Sequence, residues 1–339
     1  FLPPFLGYTI TMQGSKKRFR VLRVITTSFI IMGFGFAYWQ RQEALDWWQL
    51  RDYQPSANVT ALATYVTMTD KSRRIFYVNT PTIQEKADFY NSCSDGETSI
   101  VLGCYKPNDG IYILRVQDER LKGIQEVTAA HEMLHAAYGR LSIKQQKRVK
   151  SLLDTAYSNI QDQSIIDKIK LYQDHGADIT NELHSILGTE VIDLPGDLED
   201  YYSQYFSDRQ VVVKYATHYQ DEFTTRKNNL AELDSKLANL EMQVTSNNKS
   251  LKELKESIEA DGIRLDALLK EGNIEEYNNG INTYNQSLIP FRVLLSQTQA
   301  LVDEYKTILE NRNAIAEEAQ ELSRALDSSK LDTKVNDIQ

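Results

Sequence analysis

Apolar residues recur every seven positions through the last third of this 339-residue chain. Leu230, Leu237, Val244, Leu251, Ile258 and Leu265 make one row, and Leu233, Leu240, Asn247, Leu254, Asp261 and Leu268 make the row beside it. Paired rows of this kind form a heptad seam and predict a coiled coil. Residues 270–273 (Lys-Glu-Gly-Asn) offer a turn. A second register follows through Ile274, Tyr277, Ile281, Tyr284, Leu288, Phe291, Leu295, Thr298, Val302, Tyr305 and Leu309. Two such segments of similar length predict an antiparallel helical hairpin, although a parallel homodimer of a bent helix fits the same rows. Pro290 is expected to kink or locally open the return helix. The tail, residues 329–339, is expected to be disordered.

Upstream the pattern is shorter in period and mixed in type. Residues 57–67 have helical spacing, and Arg74-Ile75-Phe76-Tyr77-Val78 is β-branched and aromatic, which predicts a strand ended by Pro81. Residues 82–91 read as helix. Residues 99–105 and 110–116 are strand-like runs separated by Lys106-Pro107-Asn108-Asp109, so a β-hairpin is predicted. A helix follows over residues 121–139, with Ile124, Val127, Leu134 and Leu141 on one face and Thr128, His131, His135 and Tyr138 on another. The chain then reads as largely helical to about residue 217. Leu194-Pro195-Gly196-Asp197 interrupts it, and Tyr201, Tyr202, Tyr205 and Phe206 form an aromatic patch.

Charge divides the molecule. The net charge of −9 and the lack of a basic stripe interleaved with aromatics argue against nucleic acid as a partner. Yet Lys16, Lys17, Arg18, Arg20 and Arg23 crowd the N-terminal segment, and no charge occurs in residues 24–39. Basic residues before an apolar run predict a single-pass membrane anchor with a cytoplasmic N-terminus. Gly35-Phe36-Ala37 also fits the cleavage site of a signal peptide. The only Trp residues, Trp39, Trp47 and Trp48, fall at or just past the far end, where an interfacial aromatic belt is expected. A buried core helix is a third reading, disfavoured by the flanking charges; either of the first two places the rest of the chain outside the cytoplasm. There the only two Cys, Cys93 and Cys104, suit a disulfide.

The chemistry centres on His131-Glu132-Met133-Leu134-His135. On a helix, residues four apart share a face, so the two imidazoles can meet one ion while the adjacent Glu acts on a bound water. A catalytic zinc takes three protein ligands. The stretch from Asp174 to Glu190 holds the candidates for the third: Asp174, His175, Asp178, Glu182, His184 and Glu190. A third His six residues after the second is absent, since position 141 is Leu.

The HExxH motif with the later Asn181-Glu182 resembles the gluzincin group of zinc metallopeptidases, thermolysin-like in the broad sense. Four residues after the Glu, where that group often has an Asp, this chain has Ile186. The resemblance implies an α+β, mainly helical zincin-like domain with a small sheet. It also implies Zn2+ on His131, His135 and Glu182, Glu132 as general base, and peptide hydrolysis. Tyr201, Tyr202, His218 or His184 would then assist the oxyanion, and residues 110–116 would pair with substrate backbone as an edge strand.

The expected organisation is a basic segment and anchor over residues 1–40, a zincin-like domain over 41–218, the coiled-coil hairpin over 219–328, and the tail. The expected partners are a peptide or protein substrate of the cell envelope, the membrane, and a protein on the coiled coil. A second reading is an envelope scaffold whose coiled coil does the work and whose zinc domain is not catalytic.

Overall fold

The computed structural model describes residues 41–93, 101–174, 176 and 178–328. The expected anchor and the tail lie outside these residues. Among those described, no helix is long and apolar enough to cross a membrane. They form a mainly helical α+β structure with one three-stranded sheet.

Five elements precede the sheet's hairpin: α1 (Arg41–Leu50), α2 (Ala57–Tyr65), α3 (Asp70–Val78), β1 (Thr82–Gln84) and α4 (Lys86–Cys93). The strand expected over 74–78 is instead helix α3. Thr69 caps it by accepting from the Ser72 amide, and Ile75 and Phe76 are buried by helical spacing. A capping Thr ahead of Asp70 outweighs the β propensity of Ile-Phe-Tyr-Val once one face of the segment has a core to pack on. The helix expected over 82–91 begins later, because Thr82–Gln84 pairs into the sheet.

The β-hairpin is present as β2 (Gly103–Lys106) and β3 (Gly110–Leu114), with Asn108 left-handed in its turn (φ 63°). Strand order is β1-β3-β2. β3 pairs parallel with β1 (Ile83 opposite Ile113) and antiparallel with β2 (Tyr105 opposite Ile111). The strand expected to present a free edge to substrate is therefore the central one, and β2 is an edge. Cys93 and Cys104 form a disulfide, with Cα atoms 5.9 Å apart, that ties the end of α4 to β2.

Helix α5 (Ile124–Gly139) carries the HExxH motif and runs through the core. Besides Val127 and Leu134, it buries Ala129, Ala130, Met133, Ala136 and Ala137, so packing takes up more of its surface than one apolar stripe. Around it lie α6 (Ile143–Tyr157), α7 (Gln163–Asp174), α8 (Ile179–Glu190) and α9 (Gly196–Tyr202). Ser142 and Gln145 make a reciprocal capping box on α6, and Asp178 caps α8 by accepting from the Thr180 and Asn181 amides. Gly188 lets α8 approach α5 closely, since a Cβ there would stand 2.5 Å from Leu134 Cδ1. That approach brings the start of α8 beside the motif.

The hairpin is α10 (Arg209–Lys270) and α11 (Ile274–Leu326). All twelve heptad positions of α10 are buried or half-buried. Pairing is antiparallel within one chain: Arg226 bridges Glu318 at 3.2 Å and Arg312 bridges Asp234 at 2.9 Å. Helix α11 continues past Pro290, but Ile274 (53%) and Leu295 (50%) of the expected second register are exposed. Leu294, half-buried, takes the seam position in place of Leu295, and the expected row resumes at Val302 and Leu309.

The hairpin is rooted in the domain. Val212, Val213 and Ala216 near the start of α10 are core residues, and Leu322 and Leu326 at the end of α11 pack on Leu121 and Ile124.

Candidate metal centre

Two helices supply the cluster. One α-helical turn separates His131 from His135, whose rings stand edge to face with centroids 4.7 Å apart. Glu182, in the first turn of α8, places Oε2 at 3.8 Å from His131 Nε2 and Oε1 at 3.7 Å from His135 Nε2. One ligand atom from each residue lies within 4.8 Å of the others. These spacings fit three donors arranged around a common point. Glu182 Oε2 is buried with no hydrogen-bond partner, and an orphaned carboxylate oxygen facing two imidazole nitrogens fits a cation.

Local electrostatics favour positive charge there. Burial pushes Glu182 upward, but the His131 and His135 imidazoles outweigh it and hold the carboxyl below its usual range. Burial lowers His131, yet Glu182 and Glu132 draw its pKa up overall. His135 falls to about 4, through burial and then the neighbouring His131. A neutral imidazole keeps a nitrogen lone pair for a metal.

The cluster opens into a cleft of about 610 Å³. Glu132 lines it and is 5% exposed. The backbone of β2 presses on Glu132: a Cβ at Gly103 would stand 2.8 Å from its Oε1 and 2.4 Å from Thr128 Cγ2. β2 thus forms one wall, and the Cys93–Cys104 bridge borders it.

The other sequence candidates fall elsewhere. Tyr202 is fully buried and donates to the His184 carbonyl at 2.7 Å. Tyr201 meets His184 Nε2 at 2.8 Å and the Tyr205 hydroxyl at 3.3 Å. Neither tyrosine lines the cleft. His184, two residues past Glu182, points the opposite way around α8 into this aromatic cage. Burial lowers its pKa to about 3, as for a neutral core histidine. Asp178 serves as a cap, Asp174 and His218 are exposed, and His175 lies outside the described residues. Glu190 lines the cleft but pairs with Lys168 and accepts from Gln220 Nε2 at 2.8 Å.

Two further residues of the cleft bear on its chemistry. Tyr172 lines the cleft, and burial followed by the Glu182 carboxylate raises its pKa, keeping the hydroxyl protonated as a donor. Its signal was the spacing of Ile165, Ile169 and Tyr172 on one face of α7. Asn181 also lines the cleft, beside His135, with Oδ1 buried and unpartnered. In the sequence it is marked only as the neighbour of Glu182 in the Asn-Glu pattern.

Comparison of the chain with protein-family models, curated proteins and solved structures finds no match.

Proposed function

We propose that this chain is a membrane-anchored, extracytoplasmic zinc metallopeptidase of the gluzincin type. The observation that carries the reading is the convergence of His131, His135 and the orphaned Glu182 carboxylate beside a buried Glu132 in one cleft. Two nitrogens and one carboxylate, with space on the cleft side, are the donor set of a catalytic zinc rather than of a closed structural site. The disulfide supports an oxidising compartment, and the charge pattern of residues 16–39 supports the anchor.

Bound zinc would supply a Lewis acid for the scissile carbonyl and lower the pKa of a water. The protein's own groups do the rest. His131, His135 and Glu182 hold the metal. Glu132 takes a proton from the attacking water and delivers it to the leaving amine. Tyr172, held protonated, donates to the developing oxyanion in place of Tyr201 or Tyr202. Substrate backbone lies extended along β2, whose outer edge is unpaired among the described strands and which lines the cleft.

Metal analysis of the purified full chain, with a peptide-cleavage assay, tests this reading. One zinc per chain is expected, retained in Glu132→Gln while cleavage falls by about 10²- to 10⁴-fold. Substoichiometric zinc, or a Glu132→Gln protein that cleaves like the parent, overturns it.

The long hairpin favours a second reading, an envelope scaffold that binds a partner on its coiled coil beside a non-catalytic metal domain. In that case Glu132→Gln leaves function in cells unchanged.

A further inference from the structure

Helix α1 turns an unusual surface outward. Trp47 and Trp48 are each 67% exposed and Leu45 is 45% exposed. Spacing of three and four sets Arg41, Ala44, Trp48 and Arg51 in one outward row, flanked by Leu45 and Trp47. That row has no acid in it. Arg51, just past the helix, meets the neighbouring Asp52 at 3.2 Å in an exposed pair that costs little to open.

The opposite face is locked down. Asp46 is 3% exposed and receives both arms of Arg140, at 2.7 and 3.2 Å, with Gln42 Nε2 at 3.2 Å. Arg140 is the C-cap of α5, so a bidentate, largely desolvated ion pair joins α1 to the end of the metal-bearing helix. A helix held this firmly while displaying two indoles to water has an outer face that lacks its natural covering.

The sequence indicates what covers it. The uncharged run of residues 24–39 ends two residues before Arg41. Indoles settle where an apolar ring and a polar N–H are both satisfied, at the headgroup boundary of a bilayer. Arginines at both ends of the outward row complement anionic headgroups.

We propose that α1 lies in the headgroup region of the bilayer, with Leu45, Trp47 and Trp48 at the acyl boundary. The Asp46–Arg140 bridge then carries the cleft beside the membrane surface. The substrate class narrows accordingly, to polypeptide segments close to the membrane. The inference rests on the anchor reading but not on zinc or catalysis.

Its test uses the full chain carrying Trp39→Phe, so that only Trp47 and Trp48 emit, in vesicles of phosphatidylcholine with phosphatidylglycerol. Co-flotation with the vesicles reports the anchor. Quenching by lipids brominated near the headgroup, or deep in the acyl chain, reports the position of α1. The proposal expects co-flotation, loss of most emission with shallow bromines, little loss with deep ones, and weaker shallow quenching without phosphatidylglycerol. Co-flotation with emission insensitive to bromine but open to aqueous acrylamide overturns the proposal and leaves the anchor standing. Emission shielded from both quenchers means that another protein surface covers α1, which also overturns it. A chain that stays out of the vesicle fraction overturns proposal and anchor together.

Discussion

At the scale of single residues, α8 separates two functions within half a turn. Glu182 faces the cleft and His184 faces the core, because two helical steps turn a side chain by about 200°. The two positions should therefore fail differently. Glu182→Gln should lose zinc while melting where the metal-free parent melts, read by metal analysis and calorimetry. His184→Ala should keep zinc but lose about 2–3 kcal/mol of stability, since it opens a cavity and leaves the Tyr201 hydroxyl only its longer bond to Tyr205. Tyr172→Phe should lower kcat about a hundredfold with little change in KM, as expected for a donor used in the transition state. An unchanged kcat would remove Tyr172 from the chemistry.

Elements place these residues, and the closest fit is between β2 and α5. The absence of a side chain at Gly103 lets the strand lie against Thr128 and Glu132. Gly103→Ala should force the strand or the Glu132 carboxylate aside, costing about 1–3 kcal/mol of stability. It should also reduce cleavage more than it reduces zinc content. Equal losses of both would mean that the strand supports the fold without setting Glu132. The disulfide acts on the same strand, pinning β2 to α4 on the cleft side.

Across the whole molecule, the hairpin is one body with the domain at its base and independent of it farther out. Val212, Ala216, Leu322 and Leu326 complete cores that also contain residues of α5. Beyond Asp234 and Arg312 the two helices pack mainly on each other. Replacing residues 237–309 with a short Gly/Ser turn should leave zinc content, melting temperature and short-peptide cleavage unchanged. Ending the chain before Arg209 should leave an insoluble or unfolded domain. A shortened hairpin that loses zinc would show that the distal coil supports the metal site.

Local periodicity sufficed for the coiled coil, the β-hairpin and the motif helix, because heptads, turn chemistry and HExxH are written in neighbouring residues. The pairing of Cys93 with Cys104 follows from their being the only two cysteines, whereas Glu182 stands out only through the gluzincin resemblance, and the fold brings it beside His131 and His135. Tertiary structure decided what depends on packing partners. It made residues 74–78 a helix, put β3 in the middle of the sheet, and sent Tyr201 and Tyr202 into the core with His184. It also brought Tyr172 and Gly103 to the cleft and moved the seam to Leu294. Each of these outcomes turns on which face of an element meets its neighbour. Spacing within a segment sets the faces, but only the assembled neighbours determine which is covered and which opens onto the cleft.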